Sequence, residues 1–159
     1  EELRFLDGYN QYIEARNLGT AFADLFQYGC IEVRSGPQPV SADAPAAGTL
    51  LARITRNGAA WAAGFAPGGL EFVAGQRYIT KNPGHTWRLV GIADGTAGHF
   101  RMVGNAADNG LASQTLPRID GAIALVDAGG DAQMRITDAV ITPSTNLIVP
   151  HWWLGSPPL

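Results

Sequence analysis

The chain has 159 residues and a formal net charge of −3, with 46% hydrophobic and 9% aromatic residues. This composition excludes intrinsic disorder, and the length fits one domain that buries its own core. The charge offers no basic footprint for nucleic acid, and no apolar run reaches the ~18 residues of a membrane helix, so we expect neither nucleic acid nor a membrane as a partner.

Charged residues are scarce, at 16% of the chain against about 25% in an average globular domain. Lys81 is the only lysine among eleven basic residues. Low charge with arginine in place of lysine is typical of protein–protein interface cores, although a GC-rich coding sequence explains the same bias. Cys30 is the only cysteine and excludes an intrachain disulfide. We expect no cofactor. The sequence leaves open whether a leader peptide was removed before Glu1.

The chain is predicted to begin with two short helices. Four apolar residues recur at helical spacing in the first of them, namely Leu3, Leu6, Tyr9 and Ile13. The second crosses "AFADLFQYG", with Thr20 as its cap and Gly29 as its stop signal. Residues 1–29 are thus a predicted helical appendage.

From residue 30 onward the pattern is that of a β protein. "CIEVR" predicts a strand, and the proline-rich residues 35–48 predict an ordered surface loop or an arm. Eight further segments have strand character, namely residues 49–55, 69–73, 77–81, 86–93, 99–103, 118–126, 133–141 and 146–153. Short strands without intervening helices predict an antiparallel β-sandwich, jelly-roll-like or barrel-like, over residues 49–159 of a single 1–159 domain.

The stretch "GIADGTAGHFRMVGNAADNG" is rich in glycine and in Asp and Asn. Its glycine spacing does not fit the dinucleotide fingerprint, and the Gly-Lys-Ser/Thr sequence of a P-loop is absent. It also lacks the ligand pattern of an EF-hand, although a calcium ion bound by a less regular set of oxygen ligands stays an open alternative. We interpret it as a turn, a strand and a loop, with glycines at bends or close backbone contacts. Phe100 and Met102 are predicted to point into the core, and His99, Arg101 and Val103 away from it.

Candidate catalytic groups are scattered. The histidines His85, His99 and His151 occupy separate strands or turns, and no nucleophile elbow accompanies them. Five aspartates fall near predicted turns, where Asp bonds its own backbone: Asp94, Asp108, Asp120, Asp127 and Asp131. We expect no enzyme activity, no catalytic residue and no metal site.

The succession "GTLLARIT", "GLEF", "TWRLVGIADGTAGHFRMVGNAADNG", "LPRIDGAIAL" and "MRITDAVI", after an N-terminal "LRFLDGYN", resembles a family of small uncharacterised virion structural proteins of tailed bacteriophages and prophages. The similarity spans nearly the whole chain, and its most specific part is "ADGTAGHFRMVGN" followed by "PRIDG". The resemblance implies a structural part of the virion and carries over no catalytic or metal residue. It does not indicate whether the protein decorates the head or belongs to the neck, the tail or a fibre.

We therefore expect a virion-located structural subunit that packs symmetrically against copies of itself and against other virion proteins. The candidate interface residues are Leu6, Tyr9, Ile13, Trp152 and Trp153. An equally open interpretation is that these side chains close the domain's own core.

The alternative function is a carbohydrate-binding, receptor-recognition module of a phage tail fibre. Exposed tryptophans stack well on sugar rings, and the ligand would be a host surface glycan. The four tryptophans are Trp61, Trp87, Trp152 and Trp153. Trp87 is the weakest candidate, because "WRL" is more simply a core strand.

Overall fold

The computed structural model describes residues 18–65, 67–75 and 78–155. Within them the protein is mainly β, as predicted. The helix α1 spans Leu18–Phe26. The strands are β1 Cys30–Ser35, β2 Leu50–Arg56, β3 Phe72–Ala74, β4 Tyr78–Lys81, β5 Trp87–Gly91, β6 Gly95–Val103, β7 Arg118–Leu125, β8 Met134–Ile136, β9 Val140–Ile141, β10 Asn146–Val149 and β11 Trp153–Gly155. The helix predicted around Leu6 lies outside the described residues.

The strands form two sheets. The larger has eight strands in the order β10-β5-β2-β1-β6-β7-β8, with β9 paired to β6, and it curls into a half-barrel. The smaller has the order β11-β4-β3. Pairing is antiparallel except between β7 and β8, which run parallel, so the prediction of a purely antiparallel arrangement was wrong at this edge of the large sheet.

One hydrophobic core lies between the large sheet, the small sheet and α1. Phe22 and Phe26 of α1 and Ile79 of β4 join this core, in which Trp87 of β5 is fully buried. Phe72 of β3 meets the Trp87 ring edge-on, with ring centroids 5.4 Å apart. The small sheet therefore turns its other face outward.

The ends of α1 differ from those predicted. The described helix begins at Leu18, two residues before Thr20, and ends at Phe26, before Gly29. The chain turns at Tyr28, whose φ is +62°, a value that L-residues rarely adopt. Two distant partners hold it there, since its amide donates to the Leu70 carbonyl (2.7 Å) and its carbonyl accepts from Trp61 Nε1 (2.8 Å).

The glycine-rich stretch folds as the predicted turn, strand and loop, with β6 as the strand. Its glycines mark close backbone contacts, and a Cβ on Gly98 would lie only 2.1 Å from the Gly36 carbonyl oxygen. Phe100 and Met102 enter the core as predicted. His99, Arg101 and Val103 lie on the other face of β6, as predicted, and this face is also buried.

Two predicted strands are each divided. Residues 133–141 form β8 and β9, because Asp138 turns the chain by accepting a hydrogen bond from the Val140 amide (2.8 Å). Residues 146–153 form β10 and part of β11, with Pro150 between them in the position of a strand end. None of the helical segments in the described part is both long and apolar enough to cross a bilayer.

Candidate functional site

The predicted interface residues have different positions. Leu6, Tyr9 and Ile13 lie outside the described residues. Trp152 is half-buried against the core, with its ring centroid 5.6 Å from that of Trp87. Trp153 is 71% exposed and is the most exposed aromatic side chain of the described chain. These two consecutive residues therefore point in opposite directions, Trp152 toward the core and Trp153 toward solvent.

Trp153 belongs to an exposed face of the small sheet, which we call the aromatic face. Its members are the outward-pointing residues Val73, Tyr78, Thr80 and Trp153. The register places Thr80 between Trp153 on one side and Val73 on the other. Tyr78 is two residues from Thr80 on the same strand and so points the same way. These four strand positions carry no charged side chain.

Two glycines make room for the aromatic rings of this face. The rings of Tyr78 and Trp153 each occupy the space that a side chain at a nearby glycine position would fill. A Cβ on Gly75 would lie 2.3 to 2.7 Å from three carbons of the Tyr78 ring, and a Cβ on Gly155 would lie 2.5 Å from Cζ3 of Trp153. Tyr78 therefore rests one ring face on the backbone of Gly75 and turns the other outward. Such a surface suits burial against an apolar partner or stacking on a sugar ring.

A second notable feature is a layer of charged side chains on the large sheet, on the face opposite the core. Four residues stand directly opposite one another across β2, β1, β6 and β7, in the order Arg53, Glu32, Arg101 and Asp120. The charges alternate along this row, which is the arrangement that cross-strand pairs favour. We call these residues the charge row.

Each carboxylate of this layer is bound by arginine. Asp120 accepts two hydrogen bonds of 2.7 Å from Arg101, and Glu32 accepts from Arg34 (2.8 Å) and from Arg53 (3.2 Å).

Next to the charge row, the side chain of Asp108 accepts two hydrogen bonds from Arg118, one of them 2.6 Å long. Asp108 and Asp120 were both predicted to lie near turns and to bond their own backbone. Asp108 does so, since it accepts from the Gly110 amide (2.8 Å), although it also pairs with Arg118. The prediction was wrong for Asp120, which lies inside β7.

Burial alone would raise the pKa of the Asp108 carboxyl, but hydrogen bonds from Arg118 and from the Gly110 amide outweigh it and lower that pKa. Burial alone would likewise lower the pKa of Arg101, and its hydrogen bonds to Asp120 outweigh that effect and raise the pKa. Both shifts favour the charged form of the group concerned, which is the form in which Asp108 and Arg101 make their ion pairs.

The same layer fixes two loops onto the sheet. Arg101 donates to the Ala44 carbonyl (3.1 Å), and Arg118 donates to the Leu111 carbonyl (2.9 Å). His99 bonds the Gly36 carbonyl through Nδ1 (3.0 Å). The proline-rich loop of residues 36–48 is thereby packed against the sheet and buries its charged layer.

The three histidines have different surroundings in the described part of the chain. His85 lies 3.8 Å from Glu71, His99 is fully buried, and His151 is exposed. No group of three or more His, Cys, Asp or Glu side chains is placed to hold a metal ion in the part of the chain that the structure describes. An open depression of about 600 Å³ is lined by residues that include Asp108, whose carboxylate already binds Arg118.

The aromatic face was found only in part from sequence. "PHWWL" drew attention to Trp153, whereas Tyr78 and Val73 gave no signal beyond β character. The comparisons with protein-family models, with curated proteins and with solved structures returned no match.

Proposed function

We propose that this protein is a structural subunit of a tailed-bacteriophage virion, which acts without catalysis by packing symmetrically against copies of itself and other virion proteins. The observation that carries the proposal is the aromatic face, an uncharged surface with Trp153 71% exposed. Large exposed apolar side chains grouped on one surface mark interaction sites. The resemblance of the sequence to phage virion proteins supplies the kind of partner, as head decoration, neck component or tail and fibre component.

The position of the ionisable groups also supports a non-catalytic role. The carboxylates of the charged layer are each bound by arginine, and the layer holds loops in place. Rigid loops on a rigid sheet lower the entropy cost of association. In the same proposal the two sheets around one core form a β-sandwich of jelly-roll-like or barrel-like type.

The test is the composition of purified particles. Virions from the strain that encodes the chain are banded on a density gradient, washed with salt and quantified by mass spectrometry against the major capsid subunit. We expect the chain to remain with the particles, at a ratio near one for a shell component and at a few copies for a neck or tail component. A chain abundant in the lysate but absent from washed particles overturns the proposal.

A second candidate function, a glycan-binding module of a tail fibre, is favoured by one observation. The rings of Tyr78 and Trp153 lie over glycines on one exposed face, on which Thr80, from the same strand as Tyr78, stands opposite Trp153. Sugar-binding sites combine such rings with a few polar groups. Host surface polysaccharide should then change the tryptophan fluorescence of the wild-type protein saturably, and Trp153→Ser should abolish the change. A flat titration of the wild-type protein counts against this function.

A further inference from the structure

The proline-rich loop presents an unusual tip, formed by Pro37, Gln38, Pro39 and Val40. Val40 is 96% exposed, the highest value among the large hydrophobic residues of the described chain. The rings of Pro37 and Pro39 fix two φ angles, and Gln38 is restricted to extended conformations because it precedes a proline. The tip is therefore stiff, uncharged and apolar at its end.

Both sides of the tip are held by hydrogen bonds. On one side His99 bonds the Gly36 carbonyl (3.0 Å). On the other side the Asp43 carbonyl accepts from the Ser113 amide (2.9 Å), and the Ala46 amide donates to the Gly110 carbonyl (2.7 Å). A tip fixed in this way loses little conformational entropy when it binds.

The tip and the aromatic face lie on opposite sides of the large sheet. The loop packs on the side of His99 and Arg101, whereas the small sheet packs on the side of Phe100 and Met102, in the hydrophobic core. Successive residues of a strand point to opposite faces. One molecule cannot bring its own tip to its own aromatic face, but two molecules in the same orientation can.

We propose that copies of this chain associate head to tail, with the tip at Pro37–Val40 of one copy seated on the aromatic face of the next. Stiff proline-rich segments bind to sites lined by aromatic side chains, because a preformed extended segment costs little entropy, and Pro37 and Pro39 give the tip this stiffness. Neither surface carries a charge, so neither repels the other nor loses a hydrated ion on contact. The inference rests on the proposed function, and names the surfaces of the symmetric packing.

A contact between two different surfaces is heterologous, and it generates a closed ring or an open filament according to the rotation between copies. The tip offers only four residues, so a single contact is small and weak. Many such contacts made together in a ring stabilise one another through high effective concentration. The expected behaviour is therefore weak self-association of the free chain that becomes strong within an assembly.

The experiment is sedimentation velocity of the full chain from about 10 µM to about 1 mM, a range suited to small interfaces. Val40→Asp removes the tip and keeps the face, whereas Trp153→Ser removes the face and keeps the tip. Leu111→Ser is the matched control, since Leu111 is 62% exposed and belongs to neither surface. Urea unfolding verifies that all three variants fold.

We expect the average mass of the wild type and of the Leu111 variant to rise with concentration, while the Val40 and Trp153 variants each stay monomeric. A mixture of these two variants should form a dimer and nothing larger, because one intact tip and one intact face remain. That complementation distinguishes a heterologous contact from a two-fold symmetric one.

Three results overturn the inference: a wild type that stays monomeric throughout, a Val40 or Trp153 variant that associates like the wild type, or a mixture that forms no dimer. A polysaccharide that saturates Trp153 fluorescence while the chain stays monomeric assigns the face to a glycan and also overturns it. None of these results bears on whether the chain is found in washed particles, so the two proposals fail separately.

Discussion

Arg101 and Asp120 face each other across β6 and β7, joined by two hydrogen bonds of 2.7 Å, with side chains only 1% and 5% exposed. The pair occupies the end of the charge row and also helps to hold the proline-rich loop, since Arg101 donates to the Ala44 carbonyl. Two charges removed from water in this way depend on each other, because the loss of one leaves the other buried without its hydrogen-bonded partner.

The first prediction follows from this dependence. Asp120→Ala should lower the free energy of unfolding by about 3–5 kcal/mol, because it removes the carboxylate that accepts two hydrogen bonds from the buried Arg101 guanidinium. The double variant Arg101→Met with Asp120→Leu should lose less than Asp120→Ala alone, since neither charge remains. Urea denaturation at neutral pH measures the free energy of unfolding of both variants. A double variant that is at least as unstable as Asp120→Ala would contradict the argument.

The elements of this site could be predicted from sequence more readily than their pairing. Local alternation was sufficient to place Phe100 and Met102 in the core. Arg101 and Asp120 lie 19 positions apart, and their meeting depends on the register of β6 and β7, which a local pattern does not contain. The burial of their face depends on a loop that lies much earlier in the chain, which the alternation along β6 does not reveal.

The same reason explains the errors at the end of α1. A glycine is the common residue for a left-handed turn, and Gly29 was the natural choice. The turn lies at Tyr28 because Trp61 and Leu70, both distant in sequence, bond its carbonyl and its amide. Trp152 and Trp153 illustrate a milder case, because strand alternation implies one inward and one outward ring but does not say which is which.

The second prediction concerns acid. The pKa of Asp108 is lower in the folded protein than its ordinary value, so its stabilising contribution is complete above the ordinary pKa of about 3.9 and is lost as the pH falls through the lowered value. The free energy of unfolding should therefore begin to drop below about pH 5 and go on dropping as the pH falls through the lowered pKa. Asp108→Asn should be less stable at neutral pH and show a smaller drop.

Asp131→Asn is the matched control for this series, because Asp131 is an exposed aspartate. Its urea midpoints should follow those of the wild type at each pH. If Asp108→Asn shows the full wild-type drop, the acid sensitivity arises from other carboxylates and the role assigned to the Arg118 pair is wrong.

The third prediction tests the contact that seats the proline-rich loop. Gly98→Ala places a methyl group 2.1 Å from the Gly36 carbonyl oxygen, and backbone must move to relieve the clash. We expect a loss of about 1–3 kcal/mol in the free energy of unfolding, as for overpacked sites. Gly129→Ala is the control, since a Cβ there meets nothing within 4 Å, and it should change stability by no more than about 0.5 kcal/mol. Equal effects of the two substitutions would contradict the close approach.

The fourth prediction concerns Cys30, which is fully buried at the start of β1. Burial, with a smaller contribution from Glu32, raises the pKa of its thiol from 9.0 to about 12, which lowers the thiolate fraction about a thousandfold at neutral pH. The thiolate is the reactive form, so an aromatic disulfide reagent should label the native protein only as fast as it unfolds. Labelling rates measured across a urea series should therefore follow the unfolded fraction. Labelling at the rate of a free thiol in the absence of urea would show that β1 opens locally and that the loops over the charge row do not hold it closed.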